Sequence, residues 1–174
     1  MTPLTHPIVV TGLMGAGKTS VAAALGQRLG CPVHDSDADI ERGHGRTARE
    51  IKDENGRAFL HEIEAEHVLA ALAARPYGVV AAAASVVDRA DCRAALAPAF
   101  VVWLSIEPAV LAARFATAKH RPQFDPSVLT MLEDQLRKRR KRFEALADLI
   151  VTSPASTADQ VAAQILGALP GAAA

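Results

Sequence analysis

The stretch Gly12-Leu13-Met14-Gly15-Ala16-Gly17-Lys18-Thr19 decides the fold. A glycine, four free positions and then Gly-Lys-Thr satisfy the phosphate-loop pattern in full. Before it runs Ile8-Val9-Val10, a β-branched segment of the kind that forms a buried strand. After it, apolar residues recur at helical spacing (Val21, Leu25, Leu29) until Gly30 and Pro32 stop the helix. A glycine-rich turn between strand and helix lets backbone N–H groups and the helix N-terminus face negative charge. The pattern therefore predicts a cradle for the phosphates of ATP, built from Gly12, Gly15, Ala16 and Gly17 with Ser20 alongside. Lys18 would reach the β and γ phosphates, and the Thr19 hydroxyl would bind magnesium.

Working outward, Val33-His34 reads as a brief second strand that leads into Asp35-Ser36-Asp37. Thr47-Ala48-Arg49-Glu50 is a capping box, so a helix starts there and runs to Asn55-Gly56, and a longer one follows over about 58–74. Residues 79–83, 100–105 and 149–152 read as three more strands. Helices are expected between and after them, over 91–96, 108–115, 126–147 and 157–169, with Asp125 capping the long one and Pro126 at its first position. Strands alternating with helices of this length predict an α/β domain: a five-stranded parallel sheet with helices on both faces. In such a sheet the second strand delivers Asp35 and Asp37 to the carboxyl edge, beside the phosphate loop. An acidic loop before a helix is also an ordinary N-cap, and both readings stand at this point.

Composition narrows the classes. At 174 residues the chain is expected to be one domain, 1–174, with half its residues apolar. Lys+Arg and Asp+Glu both number 19, a balance that argues against a bulk nucleic-acid or membrane-surface binder. Six consecutive cations at 137–142 point in all directions on a helix, so they read as a solvated surface. Cys31 and Cys92 lie far apart and suit a reducing compartment. No basic region followed by an apolar stretch opens the chain, and the longest apolar run is far short of the roughly 20 residues that span a bilayer. A cytoplasmic protein is expected. The histidines show no metal-ligand spacing, and Trp103 reads as core.

The succession Gly12 to Thr19, then Asp35-Ser36-Asp37-Ala38-Asp39-Ile40-Glu41, then the pieces 45–50 and 56–64, resembles shikimate kinase. The resemblance continues through Arg121-Pro122 and through Arg139 with Phe143, and it covers nearly the whole chain. It implies a P-loop kinase fold with an acceptor-binding helical segment around 35–64 and a lid around 117–125. It implies that ATP with magnesium phosphorylates a hydroxyl of a small metabolite. By the same resemblance, Asp35 binds magnesium through water and Asp37 orients or deprotonates the attacking hydroxyl. Arg121 descends from the lid onto the transferring phosphoryl group. Arg114, with Pro154, flanks the adenine, and Arg139 reaches the acceptor's carboxylate.

Two departures touch the acceptor side. Where the family has an arginine in a Phe-Arg-x-x-Glu stretch, this chain reads Leu60-His61-Glu62-Ile63-Glu64. Histidine is shorter and forms no bidentate fork, although Arg57 stands four residues earlier on the same helix. The family's three consecutive glycines align with Ala82, Ala83 and Ala84, which disfavour positive φ by roughly 1 kcal/mol or more per residue. The loop must then be reshaped, the pocket narrowed, or both. Shikimate is one acceptor consistent with this pattern; a cyclitol, a sugar acid or a hydroxylated antibiotic is another. The competing class is a non-catalytic nucleotide-binding module. A monomer is expected, with a dimer as the alternative.

Overall fold

The computed structural model describes residues 4–117, 126–152 and 156–170. Five strands, β1 (Ile8–Gly12), β2 (Val33–Asp35), β3 (Val79–Ala81), β4 (Phe100–Leu104) and β5 (Leu149–Val151), form one sheet in the order β2-β3-β1-β4-β5. Every pairing is parallel; Val10 lies between Ala81 of β3 and Val102 of β4. The Ile8-Val9-Val10 run is fully buried, as a strand covered on both faces requires. β1 connects toward β2 on one side while its neighbour β3 connects toward β4 on the other, so the crevice at their carboxyl ends opens where a ligand fits. There α1 (Lys18–Leu29) begins.

Two glycines of the intervening turn are obligatory for distinct reasons. Gly12 has φ 147°, and a β-carbon on it would stand 2.7 Å from the Leu104 carbonyl oxygen. The backbone of β4 thus approaches the loop too closely for any side chain. Gly17, the N-cap of α1, has φ 95° with open space where a β-carbon would lie. Conformation selects glycine there, and the space is left to a ligand.

The remaining helices are α2 (Ser36–His44), α3 (Ala48–Asn55), α4 (Arg57–Ala73), α5 (Ala90–Leu96), α6 (Pro108–Thr117), α7 (Pro126–Leu146) and α8 (Ala158–Ala168). One layer joins α1 to α8; the other joins α4, α5 and α7. The capping box at Thr47 and Glu50 forms in full, with both reciprocal hydrogen bonds. On the far side of the sheet, Trp103 of β4 stacks on Phe143 of α7, centroids 5.2 Å apart and planes at 14°. That stack sits one turn beyond Arg139 and fixes the inner face of the basic run: Arg139 is buried while Arg137, Lys138, Arg140, Lys141 and Arg142 are exposed.

Ile40, Ile51, Leu60 and Ile63 form a second, smaller core that holds α2, α3 and α4 together. Fully burying an aliphatic side chain of this size contributes roughly 2 kcal/mol.

The third strand ends at Ala81 rather than at 83, and a short 3-10 helix (Ala84–Asp88) follows. Of the segment expected as a lid over 117–125, only Thr117, the last residue of α6, lies among the described residues. Arg121, Asp125 and Pro154 fall outside them.

Candidate active site

Three elements converge at the carboxyl edge of β1: the start of α1, the junction of β2 with α2, and the middle of α4. On the first, Lys18 Nζ donates to the carbonyl oxygens of Gly12 and Leu13, both at 3.1 Å. Among the described residues no side chain caps α1, so the N–H groups of its first turn are left to a ligand, with Thr19 and Ser20 exposed beside them. Burial lowers the Lys18 pKa, against the pull of Asp37, Asp35 and Glu64, which raise it.

The two readings of the acidic turn prove compatible, because Asp35 serves both with different oxygens. Its Oδ1 accepts the N–H groups of Asp37 at 3.0 Å and Ala38 at 3.1 Å, capping α2. Its Oδ2 is buried and has no hydrogen-bond partner among the described residues. The cap starts a helix that the acidic sequence did not announce, and it leaves the Asp37 side chain exposed in the cleft. One turn on, Asp39 Oδ2 accepts the Asp35 N–H at 3.1 Å and meets His67 Nε2 of α4 at 2.8 Å. Asp39 Oδ1 pairs with Arg42 at 2.9 Å. Burial alone would raise the Asp39 pKa, but His67 and Arg42 outweigh it and hold the group below its usual range. This link between α2 and α4 sets the position of the turn that carries Asp35 and Asp37.

Glu64 of α4 is buried with its Oε2 accepting the Ser85 hydroxyl. Burial raises its pKa most; the Ser85 bond opposes, Asp37 adds to the rise, and Arg139 and Lys18 oppose it. A carboxyl with a raised native pKa stabilises the fold below its unfolded value of 4.5, and that contribution is lost as pH rises through the native value. Glu64→Gln carries no charge to bury. Its melting temperature relative to the parent chain is therefore expected to climb as pH is raised from 4 to 8, as thermal unfolding at stepped pH would show.

Arg139 lies across the same cleft. Its Nε and Nη2 both donate to Asp88 Oδ2, at 2.9 and 2.8 Å, and its Nη1 donates to Gln135 Oε1 at 3.1 Å. Arg142 takes the other Asp88 oxygen at 2.8 Å. His61, half-buried in the position of the family's arginine, has a pKa lowered first by burial and further by Arg139 and Arg57, with Asp88 opposing. These surroundings favour the neutral ring over the cation.

The alanines resolve differently from the strain their alignment suggested. No residue other than glycine has positive φ among those described, and Ala83 sits at φ −60°. The Ala82 N–H donates to the Val10 carbonyl at 3.0 Å, so it extends the sheet rather than facing a ligand. Ala83 and Ala84 open the 3-10 helix and bring Ser85 to Glu64 and Asp88 to Arg139.

On the other side of the phosphate loop, a pocket is lined by Ala16, Gly17, Leu104, Arg114, Val151 and Ser156, among others. Aliphatic side chains beside the Arg114 guanidinium, continuous with the phosphate cradle, suit a flat base. Arg114 Nη1 also donates to the Gly15 carbonyl at 3.0 Å, tying α6 to the loop.

Among the described residues no three histidine, cysteine or carboxylate side chains gather as a metal centre, and no helix is long and apolar enough to cross a membrane. Sequence reasoning missed Ser85, Asp88, Asp39 and His67. Only Asp39 lay within a motif; the other three are joined to the site by tertiary packing alone.

Phosphate cradle, capped carboxylate turn and the buried Glu64 and Arg139 across one cleft define a P-loop phosphotransferase, an ATP-dependent small-molecule kinase. The shikimate kinase family profile matches residues 14–170. A shikimate kinase of Thermobifida fusca is 38% identical over 94% of this chain and 95% of its own, and one of Streptomyces avermitilis is 33% identical over 93% and 94%. The solved shikimate kinase of Acinetobacter baumannii, in complex with shikimate, superposes with a TM-score of 0.82 at 29% identity, covering 93% of this chain and 91% of that one. The chain belongs to the shikimate kinase family.

Proposed function

We propose that this kinase transfers the terminal phosphate of ATP to a hydroxyl of shikimate. The observation that supports it most is the exposed Asp37 carboxylate facing the same cleft as Lys18, Glu64 and Arg139. The complex of the Acinetobacter baumannii relative with shikimate adds the identity of the acceptor. In the reaction, Asp37 accepts a hydrogen bond from the acceptor hydroxyl and takes its proton as the oxygen attacks the γ-phosphorus. The bond from that phosphorus to the bridging oxygen breaks, and ADP leaves. Lys18 stabilises the charge on the β and γ phosphates, and positioning accounts for most of the rate. Arg121 closes over the transferring group to exclude water, with Arg114 and Pro154 at the adenine; the family resemblance supports these roles.

The donor set also fits magnesium. Thr19 offers an exposed hydroxyl at the helix start, and the unpartnered Asp35 Oδ2 is an acceptor suited to metal-bound water. With Asp35, Asp37 and Glu64 already acting on Lys18, a triphosphate needs a further cation. Thr19 and Asp35 would hold it, and when bound it neutralises charge on the phosphates. The free thiols of Cys31 and Cys92 support a cytoplasmic setting.

A coupled ADP-release assay tests the acceptor. Turnover with shikimate is expected to exceed that with gluconate or myo-inositol by at least about 10²-fold, the discrimination that matched polar groups supply. Turnover of either alternative at the higher rate overturns the assignment.

A further inference from the structure

The buried guanidinium at the acceptor cleft is already occupied. Arg139 presents to Asp88 the edge formed by Nε and Nη2, at 2.9 and 2.8 Å, and spends Nη1 on Gln135 at 3.1 Å. That two-donor edge is the one a ligand's carboxylate would take in a bidentate pair. Asp88 is not a buried structural anchor: about a third of its side chain, 34%, is exposed, whereas Arg139 is at 10%. It also has a second partner, Arg142 at 2.8 Å, toward solvent. The arrangement follows from the segment after β3. Because Ala83 and Ala84 enter a 3-10 helix, that helix ends at Asp88, and its carboxylate falls against α7.

We propose that Asp88 is a specificity-determining residue, an internal carboxylate that competes with the acceptor's own carboxylate for Arg139. This rests on the reading of the acceptor as shikimate, an acid, and deepens it. An acidic acceptor has to displace Asp88 or leave Arg139 unused, whereas an uncharged acceptor meets no competitor. The site therefore separates an acid from its uncharged counterpart poorly.

Calorimetric titration with shikimate and with its methyl ester, in the presence of ADP and magnesium, tests this on the parent chain, Asp88→Asn and Asp88→Ala. Both variants are expected to bind shikimate about tenfold more tightly than the parent, with ester affinity unchanged within about twofold, since freeing a charged donor pair is worth roughly one decade. Equal, weaker or undetectable shikimate binding in both variants overturns the inference, as does an equal gain for the ester. ADP affinity measured in the same samples verifies that each variant is folded, and two variants guard against one failing to fold. Failure of the shikimate reading shows separately, as absence of ADP release from ATP with shikimate in all three proteins.

Discussion

Asp37→Asn is expected to lower kcat by about 10³-fold while the KM for ATP stays within about twofold, because removing a general base removes an interaction made in the transition state. The substitution keeps the shape of the side chain and leaves the cap of α2 intact, since that cap uses the Asp37 backbone N–H and the Asp35 side chain. What is lost is a negative charge exposed in the cleft. Steady-state kinetics with ATP and acceptor varied in turn separates the outcomes. A fall in ATP affinity as large as the fall in kcat would move Asp37 from the acceptor to the nucleotide.

Lys18→Ala is expected to reduce kcat/KM for ATP by about 10³-fold or more, the order found when a cation on the transferring phosphate is removed. The side chain bridges the carbonyl oxygens of Gly12 and Leu13, so it also steadies the loop it serves. It is a cation lowered in pKa by burial in a site with Asp37, Asp35 and Glu64 around it. Removing it leaves those carboxylates facing the phosphates. Nucleotide affinity measured by calorimetry should fall together with turnover, in contrast to Asp37→Asn. An unchanged ATP affinity would show that the lysine does not touch the nucleotide.

Local patterns carried the nucleotide half of the site into the sequence. The run from Gly12 to Thr19 is one continuous piece of backbone, and its chemistry is set by residue type at fixed spacing. The same holds for the capping box at Thr47 and for the alternation of strands and helices. Arg139 was legible as the inward cation only through the family resemblance, because a six-residue basic run does not by itself say which of its members faces in. The acceptor half was harder to read because it is assembled from α4, α7 and the 3-10 helix, whose partners are far apart in the chain. Glu64 meets Ser85 across 21 positions, and Arg139 meets Asp88 across 51. An alignment of Ala82, Ala83 and Ala84 with glycines suggested strained backbone. It could not show that the chain would escape the strain by turning into a helix at ordinary φ.

The small nucleus of Ile40, Ile51, Leu60 and Ile63 has a consequence of its own. It ties α2, α3 and the first half of α4 together, while Ala65, Val68, Ala71 and Leu72 in the second half of α4 belong to the core of the sheet. A substitution there acts first on α2 and α4, which carry Asp37 and Glu64, and only through them on Lys18. A catalyst partitioned in this way can retune which alcohol it accepts while the donor half of its chemistry stays constant.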